Sequence, residues 1–288
     1  MPYEGESFFE ASLGEPMSCI IGGYHANYHT NKQNYDHAMG TKEGGNIIIL
    51  GGCGPMGLGA VSYGINYKNK PKRIVVTDIN DARIARAKEV VSPEYAAETA
   101  SNSSTSTRPT WTRLMTNSWP SPMATATTTS SSTPRSAPLL NSATASWPLT
   151  DASTSSPARR TKTSALNQPL RLPLHQHPYH GTTGGNNNDL IEANTLAAKG
   201  IIDPAVMVTH VGGIDSIAET TLNLPNIPGG KKLAYTQFNM PMTAIEDFAK
   251  LGEKDPFFLE LDKCCKAHKG LWNGEAEKMI LKHFNVEI

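Results

Sequence analysis

The chain has 288 residues, with 26 Lys and Arg balanced by 26 Asp and Glu for a formal net charge of +0. That balance gives no electrostatic footprint for nucleic acid or an anionic membrane, and no apolar run approaches the ~20 residues of a membrane helix. Four cysteines in a chain of this length, two of them adjacent at Cys264 and Cys265, do not make a disulfide framework. The opening Met1–Glu6 lacks the basic and apolar parts of a signal peptide, so a reducing, cytoplasmic location is expected.

Residues 1–45 contain Glu10-Ala11-Ser12-Leu13-Gly14-Glu15-Pro16-Met17-Ser18 and a histidine pair, His25 and His29, four apart. That spacing suits one face of a helix, as zinc-binding helices use, but no Glu follows His25, so two histidines on a linking helix is the favoured reading. Asn46–Leu50 (NIIIL) reads as a buried parallel strand. It enters Gly51-Gly52-Cys53-Gly54-Pro55-Met56-Gly57 and then a helix to about Tyr67. Arg73–Thr77 (RIVVT) is the next strand, ending at Asp78, and Asn80 or Asp81 can cap the helix after it.

Gly52-x-Gly54-x-x-Gly57 lies where a dinucleotide fingerprint requires it, between strand and helix. The glycines allow a tight turn, close approach of backbone to pyrophosphate, and close helix–strand packing, and the helix N-terminus favours anions. Asp78 follows at about the ~20-residue interval and can accept hydrogen bonds from ribose hydroxyls. A 2′-phosphate would meet that carboxylate, so NAD is expected over NADP.

Thr99–Pro178 is unlike its flanks. Ser and Thr supply 32 of its 80 residues, Pro 10 and Ala 9, and it has no Gly, Val, Ile, Phe or Tyr. Such a segment cannot bury enough apolar surface to offset its ordering entropy, so little regular structure is expected there. The genetic code offers a cause. Ser, Pro, Thr and Ala are the residues whose codons carry C in the middle, and a lost nucleotide in a GC-rich gene moves the wobble base to that place. Met123–Pro134 (MATATTTSSSTP) permits GHGYDDVFVYAP in the neighbouring frame, and Leu149–Ala165 permits DGCLNFFAGPTDKDFS. An out-of-frame block between about Glu98 and Gly181 is therefore expected. A compact Rossmann sheet with three strands drawn from this block would sink both the disordered and the out-of-frame readings.

After the block come Gly181–Gly185, a helix from about Asp189, the segment Gly229–Tyr235, and a helix-like tail from Ala244 to Phe284. In that tail Trp272, Met279, Ile280 and Phe284 recur at helical intervals, and cover for the domain and cover for a partner subunit both remain open. Cys19, Cys53, Cys264 and Cys265 read as packing residues.

The run from NIIIL through GxGPMG to VVTD, with the Glu15-Pro16 segment and the closing pieces, resembles the zinc-type medium-chain alcohol dehydrogenases. It resembles especially their sorbitol-dehydrogenase-like and sorbose-1-phosphate-reductase-like members. The resemblance covers roughly residues 2–98 and 181–288. It implies an α/β fold with an incomplete Rossmann-type parallel sheet, split into a junction from a catalytic domain (1–45), the first half of the NAD-binding domain (46–98), the aberrant segment (99–178), the end of that domain with a return strand (179–235), and a helical tail (236–288). It also implies hydride transfer between NAD and a polyol or ketose phosphate, with no nucleic-acid or membrane partner and with a homo-oligomer left open. Cofactor contacts are expected at Gly52, Gly54, Pro55, Met56, Gly57 and Asp78. Zinc is expected of the family, with Glu15 as the one matching ligand and the Cys and His-Glu ligands of a preceding domain absent from these residues. A dinucleotide-binding fragment without turnover is the alternative.

Overall fold

A computed structural model describes residues 3–31, 33–91, 108–113, 126–130, 153–155 and 179–286. Two helices open the chain, α1 (Phe8–Ser12) and α2 (Gly14–Ala26), followed by a small antiparallel pair, β1 (Tyr28–Thr30) and β2 (His37–Met39). Then β3 (Asn46–Leu50), α3 (Pro55–Asn66), β4 (Arg73–Asp78) and α4 (Asp81–Val90) alternate. In β3 and β4 every residue after the first is buried, as both-face cover of a parallel strand requires. Each such Ile or Val contributes about 1.5–3 kcal/mol by leaving water. Asn80 caps α4, its side chain accepting the Arg83 N–H at 3.1 Å.

Four further strands complete the sheet: β5 (Arg108–Arg113), β6 (Ala126–Ser130), β7 (Ser153–Ser155) and β8 (Tyr179–Gly181). All neighbours run parallel, in the order β5-β4-β3-β6-β7-β8. Counted along the chain this is 3-2-1-4-5-6, the doubly wound dinucleotide order, so the fold is a Rossmann-type α/β sheet. Three of these strands come from the Ser/Thr-rich block. The expected lack of regular structure is thereby corrected at those positions, and the out-of-frame reading fails the structural test set for it. The physical reason is that ladder bonds are made by backbone groups. β4 and β3 offer open edges to β5 and β6, β7 then pairs with β6, and Thr and Trp have high strand propensity. The rest of the block lies outside the described residues.

The second half supplies α5 (Asn187–Ala198), β9 (Val208–Gly213), α6 (Ile217–Asn223), β10 (Lys231–Tyr235), β11 (Thr243–Ala244), α7 (Phe248–Leu251), α8 (Pro256–Ala267) and α9 (Gly274–His283). β9 is the centre of a three-stranded sheet, parallel to β10 and antiparallel to β11. The tail covers this body: Trp272 and Ile280 are buried in the common core, and Phe238 stacks on Phe284 at 4.3 Å.

α2 is buried along most of its length between α3 and α5. Gly59 makes the approach to α3 close, because a Cβ there would lie 2.7 Å from Ile20 Cδ1. Tyr24 completes it, donating its hydroxyl to the Ala60 carbonyl at 2.7 Å. α2 stops at Ala26, so His29 lies on β1 rather than on a shared helix face with His25. Asn27, extended at ψ 154, turns the chain out of the helix.

Candidate functional site

The loop between β3 and α3 is shaped by three glycines with different surroundings. At Gly52 a Cβ would stand 2.6 Å from Val76 and 2.7 Å from Ile49, so the loop rests directly on the sheet. At Gly57 it would stand 2.2 Å from the Gly52 carbonyl oxygen, so the first turn of α3 folds back onto the loop. At Gly54 nothing among the described residues lies within 4 Å. Gly54 is the N-cap of α3, Pro55 follows in the first turn, and no side chain caps this end. Its amides and partial positive charge therefore face open space, which suits an anion lying against backbone. Gly51, at φ +65°, makes the turn out of β3.

Asp78 closes β4 beside this loop. Gly52 N–H donates to the Thr77 carbonyl at 2.9 Å, locking the loop to the strand end. The Asp78 carboxylate accepts from the amides of Ile79 and Asn80 at 2.8 and 3.0 Å. Its charge is felt inside the loop: burial and then Asp78 push the Cys53 thiol up to about 12, so Cys53 stays a neutral packing group. The structure thus brings Gly52, Gly54, Pro55, Met56, Gly57 and Asp78 to one corner, at the carboxyl ends of adjacent strands.

Glu15 lies elsewhere, exposed on α2. It accepts from Cys19 Sγ at 3.3 Å, and burial followed by Glu15 raises that thiol above its ordinary range. Among the described residues no third Cys, His, Asp or Glu joins this pair. A catalytic zinc needs about three protein ligands and an open position, so the donors here do not fit it.

Sequence reasoning missed a polar cluster between α2, α3 and α5. His25 Nδ1 lies 2.7 Å from Asp189, and Tyr63 donates to Glu192 at 2.6 Å. Asp189 also completes a capping box with Asn186 at the start of α5. The Asn186…Asp189 spacing was a readable helix signal, but nothing local announced His25 as the partner. A second feature is a cavity of about 360 Å³ lined by Arg86, His210, Glu246, Asp262 and Lys266, among others, and by no residue of the glycine loop. Burial and the Lys232 charge hold His210 down at about 4, so it is neutral near pH 7.

Mannitol-1-phosphate 5-dehydrogenase of Aliivibrio fischeri is 38% identical over 304 residues, covering 100% of this chain and 68% of its own length. The chain belongs to the polyol dehydrogenase family. The uncharacterized protein YggP of Escherichia coli K12 is 40% identical over 300 residues, again 100% of this chain and 68% of that protein. L-sorbose 1-phosphate reductase of Klebsiella pneumoniae is 32% identical over 306 residues, with 98% and 66% covered. No family model matches the chain. Among solved structures, 2R,3R-butanediol dehydrogenase of Bacillus subtilis superimposes with a TM-score of 0.54 at 15% identity, over 78% of this chain and 56% of that one. L-idonate 5-dehydrogenase of Escherichia coli K-12 gives 0.53 at 12%, over 80% and 57%. At such identities the likeness is one of fold, and the chain spans little more than half the length of these structures.

Proposed function

We propose that this polyol dehydrogenase family member binds NAD at the β3–α3 corner, in the service of hydride exchange with a polyol or sugar phosphate. The observation that carries the reading is the open, uncapped N-terminus of α3 at Gly54, with the Asp78 carboxylate at the end of the neighbouring strand. Gly54 admits the pyrophosphate against backbone, and the Pro55, Met56 and Gly57 turn sets the amides toward it. Asp78 accepts the ribose hydroxyls and repels a 2′-phosphate. When bound, the nicotinamide supplies the hydride acceptor or donor. The substrate class rests on the relatives named for mannitol 1-phosphate and L-sorbose 1-phosphate.

Calorimetric titration tests the cofactor. NAD should bind more tightly than NADP, and Asp78→Ala should narrow the difference. Tighter NADP binding by the unaltered chain overturns the assignment.

A second reading, dinucleotide binding without turnover by residues 1–288, is favoured by the Glu15–Cys19 pair. Two donors on one helix cannot hold a catalytic zinc, and no step through that metal is derived for these residues. Zinc content after dialysis and NAD-linked turnover of a polyol phosphate panel separate the two readings.

A further inference from the structure

The end of α8 and the start of α9 form a tight reversal. Lys269, at φ +60°, and Gly270, at φ +73°, turn the chain, and Asn273 caps α9 by accepting the Ala276 N–H at 3.0 Å. The reversal brings together three side chains of different chemistry. One donor atom from each of Cys264, His268 and Glu275 lies within 4.8 Å of the other two.

We propose that Cys264, His268 and Glu275 form a zinc site that clamps the α8–α9 turn, independent of the dinucleotide corner. Thiolate, imidazole and carboxylate together are a donor set that suits Zn²⁺. Ligands of one tetrahedral zinc stand roughly 3.3–3.8 Å apart, given bonds of about 2.0–2.3 Å. The described spacing closes to that by rotating the exposed Glu275 and the half-buried Cys264 side chains toward the His268 ring.

Two local features prepare the site. His268 Nδ1–H donates to the Cys264 carbonyl at 3.0 Å, which fixes the tautomer and leaves the Nε2 lone pair for the metal. The same hydrogen bond holds the ring against the helix end that carries Cys264. The cation would also sit at the C-terminus of α8, whose dipole favours positive charge, while the Glu275 carboxylate offsets the opposing dipole at the start of α9. Nearby Lys263 and Lys266 are turned to other partners, Glu260 at 2.8 Å and Asp262 at 2.7 Å. Binding replaces the Cys264 S–H bond to Asn273 Oδ1 with a metal–sulfur bond, and the thiol proton leaves to solvent. Asn273 keeps its cap on α9 throughout. Water would take the fourth coordination position, making this a three-ligand clamp.

Cobalt(II) alone, added to the full chain under a non-chelating reductant, tests the site. The thiolate-to-cobalt charge-transfer band and tetrahedral visible bands should appear at one equivalent, and excess Zn²⁺ should remove them. Cys264→Ser should abolish the charge-transfer band, while His268→Gln and Glu275→Gln should each weaken binding at least tenfold. Cys19→Ser should leave the band unchanged. Should Cys264→Ser not keep its native far-ultraviolet dichroism, the exposed His268→Gln variant decides in its place. Absence of the band at millimolar cobalt, or its loss in Cys19→Ser and persistence in Cys264→Ser, overturns the proposal.

Discussion

The Glu277 carboxylate accepts the backbone N–H of Phe8 at 2.7 Å, across 269 positions of sequence. It also accepts Phe9 N–H at 3.0 Å and the Tyr235 hydroxyl at 2.5 Å, and Tyr235 in turn accepts Trp272 Nε1–H at 3.0 Å. One side chain thereby caps α1 and joins it to β10 and the tail. Replacing Glu277 with Ala leaves buried donors without an acceptor. The expected loss is about 2–4 kcal/mol in denaturant unfolding. Glu277→Gln should lose less, because its carbonyl oxygen still accepts. Equal stability of Glu277→Ala and the parent chain would remove this contact from the account.

The glycine loop gives a pair of substitutions with opposite readouts. At Gly57 an added Cβ meets backbone at 2.2 Å, so Gly57→Ala must displace the loop and should lower the melting temperature. At Gly54 the space is open and φ is −82°, so Gly54→Ala should fold with stability within about 0.5 kcal/mol of the parent. Its methyl would occupy the approach to the α3 amides, and NAD affinity should fall at least tenfold. Unchanged NAD binding by Gly54→Ala would place the pyrophosphate elsewhere.

Asp203 predicts a pH dependence. Burial pushes its carboxyl up to about 6 from an ordinary 3.8, although its Oδ1 accepts the Ala205 N–H at 2.9 Å. A carboxyl raised by folding takes up its proton more readily in the folded state. Its contribution to stability is therefore full below about 3.8 and is lost as pH rises through about 6. Asp203→Asn keeps an acceptor for Ala205 and cannot ionise. The stability difference between variant and parent should thus favour the variant at pH 7 and shrink as pH falls toward 4. A difference flat across that range contradicts the assignment.

Turnover is the fourth test. It separates the two readings: under the second, in which Glu15 and Cys19 hold no catalytic zinc, residues 1–288 with excess zinc and NAD oxidise no polyol phosphate measurably, whereas the first expects NAD-linked turnover. Zinc-dependent activity from this polypeptide would demand ligands beyond those described.

What could be read in the sequence was local. β3, β4, α3 and α4 were legible because period, β-branched runs and caps are written within a dozen residues. Gly52, Gly54, Gly57 and Asp78 were legible because a strand–turn–helix has fixed spacing. His29 was not, since nothing between Ala26 and Tyr28 announces that helix gives way to strand. The Glu277 network was invisible for the opposite reason, its partners being hundreds of residues away. The block misled because composition measures side chains whereas parallel pairing is made by the backbone. A mismatch survives all the same: β6 reads ATTTS between β3 and β7, at a position where parallel sheets take Val, Ile and Leu. The out-of-frame reading has failed its structural test, and only that conflict and the composition still speak for it. Sequencing the gene across codons 98–181 decides it, and an intact frame there ends it.

The Phe8–Glu277 bond also has a temporal side. α1 leaves the ribosome long before α9, the helix whose carboxylate satisfies its leading amides. Until then those amides have only water as partners, and closing so long a loop carries a large entropic cost. α1 should therefore dock late in folding, so that a nascent chain stalled before residue 277 remains open to proteases around Phe8 and Phe9.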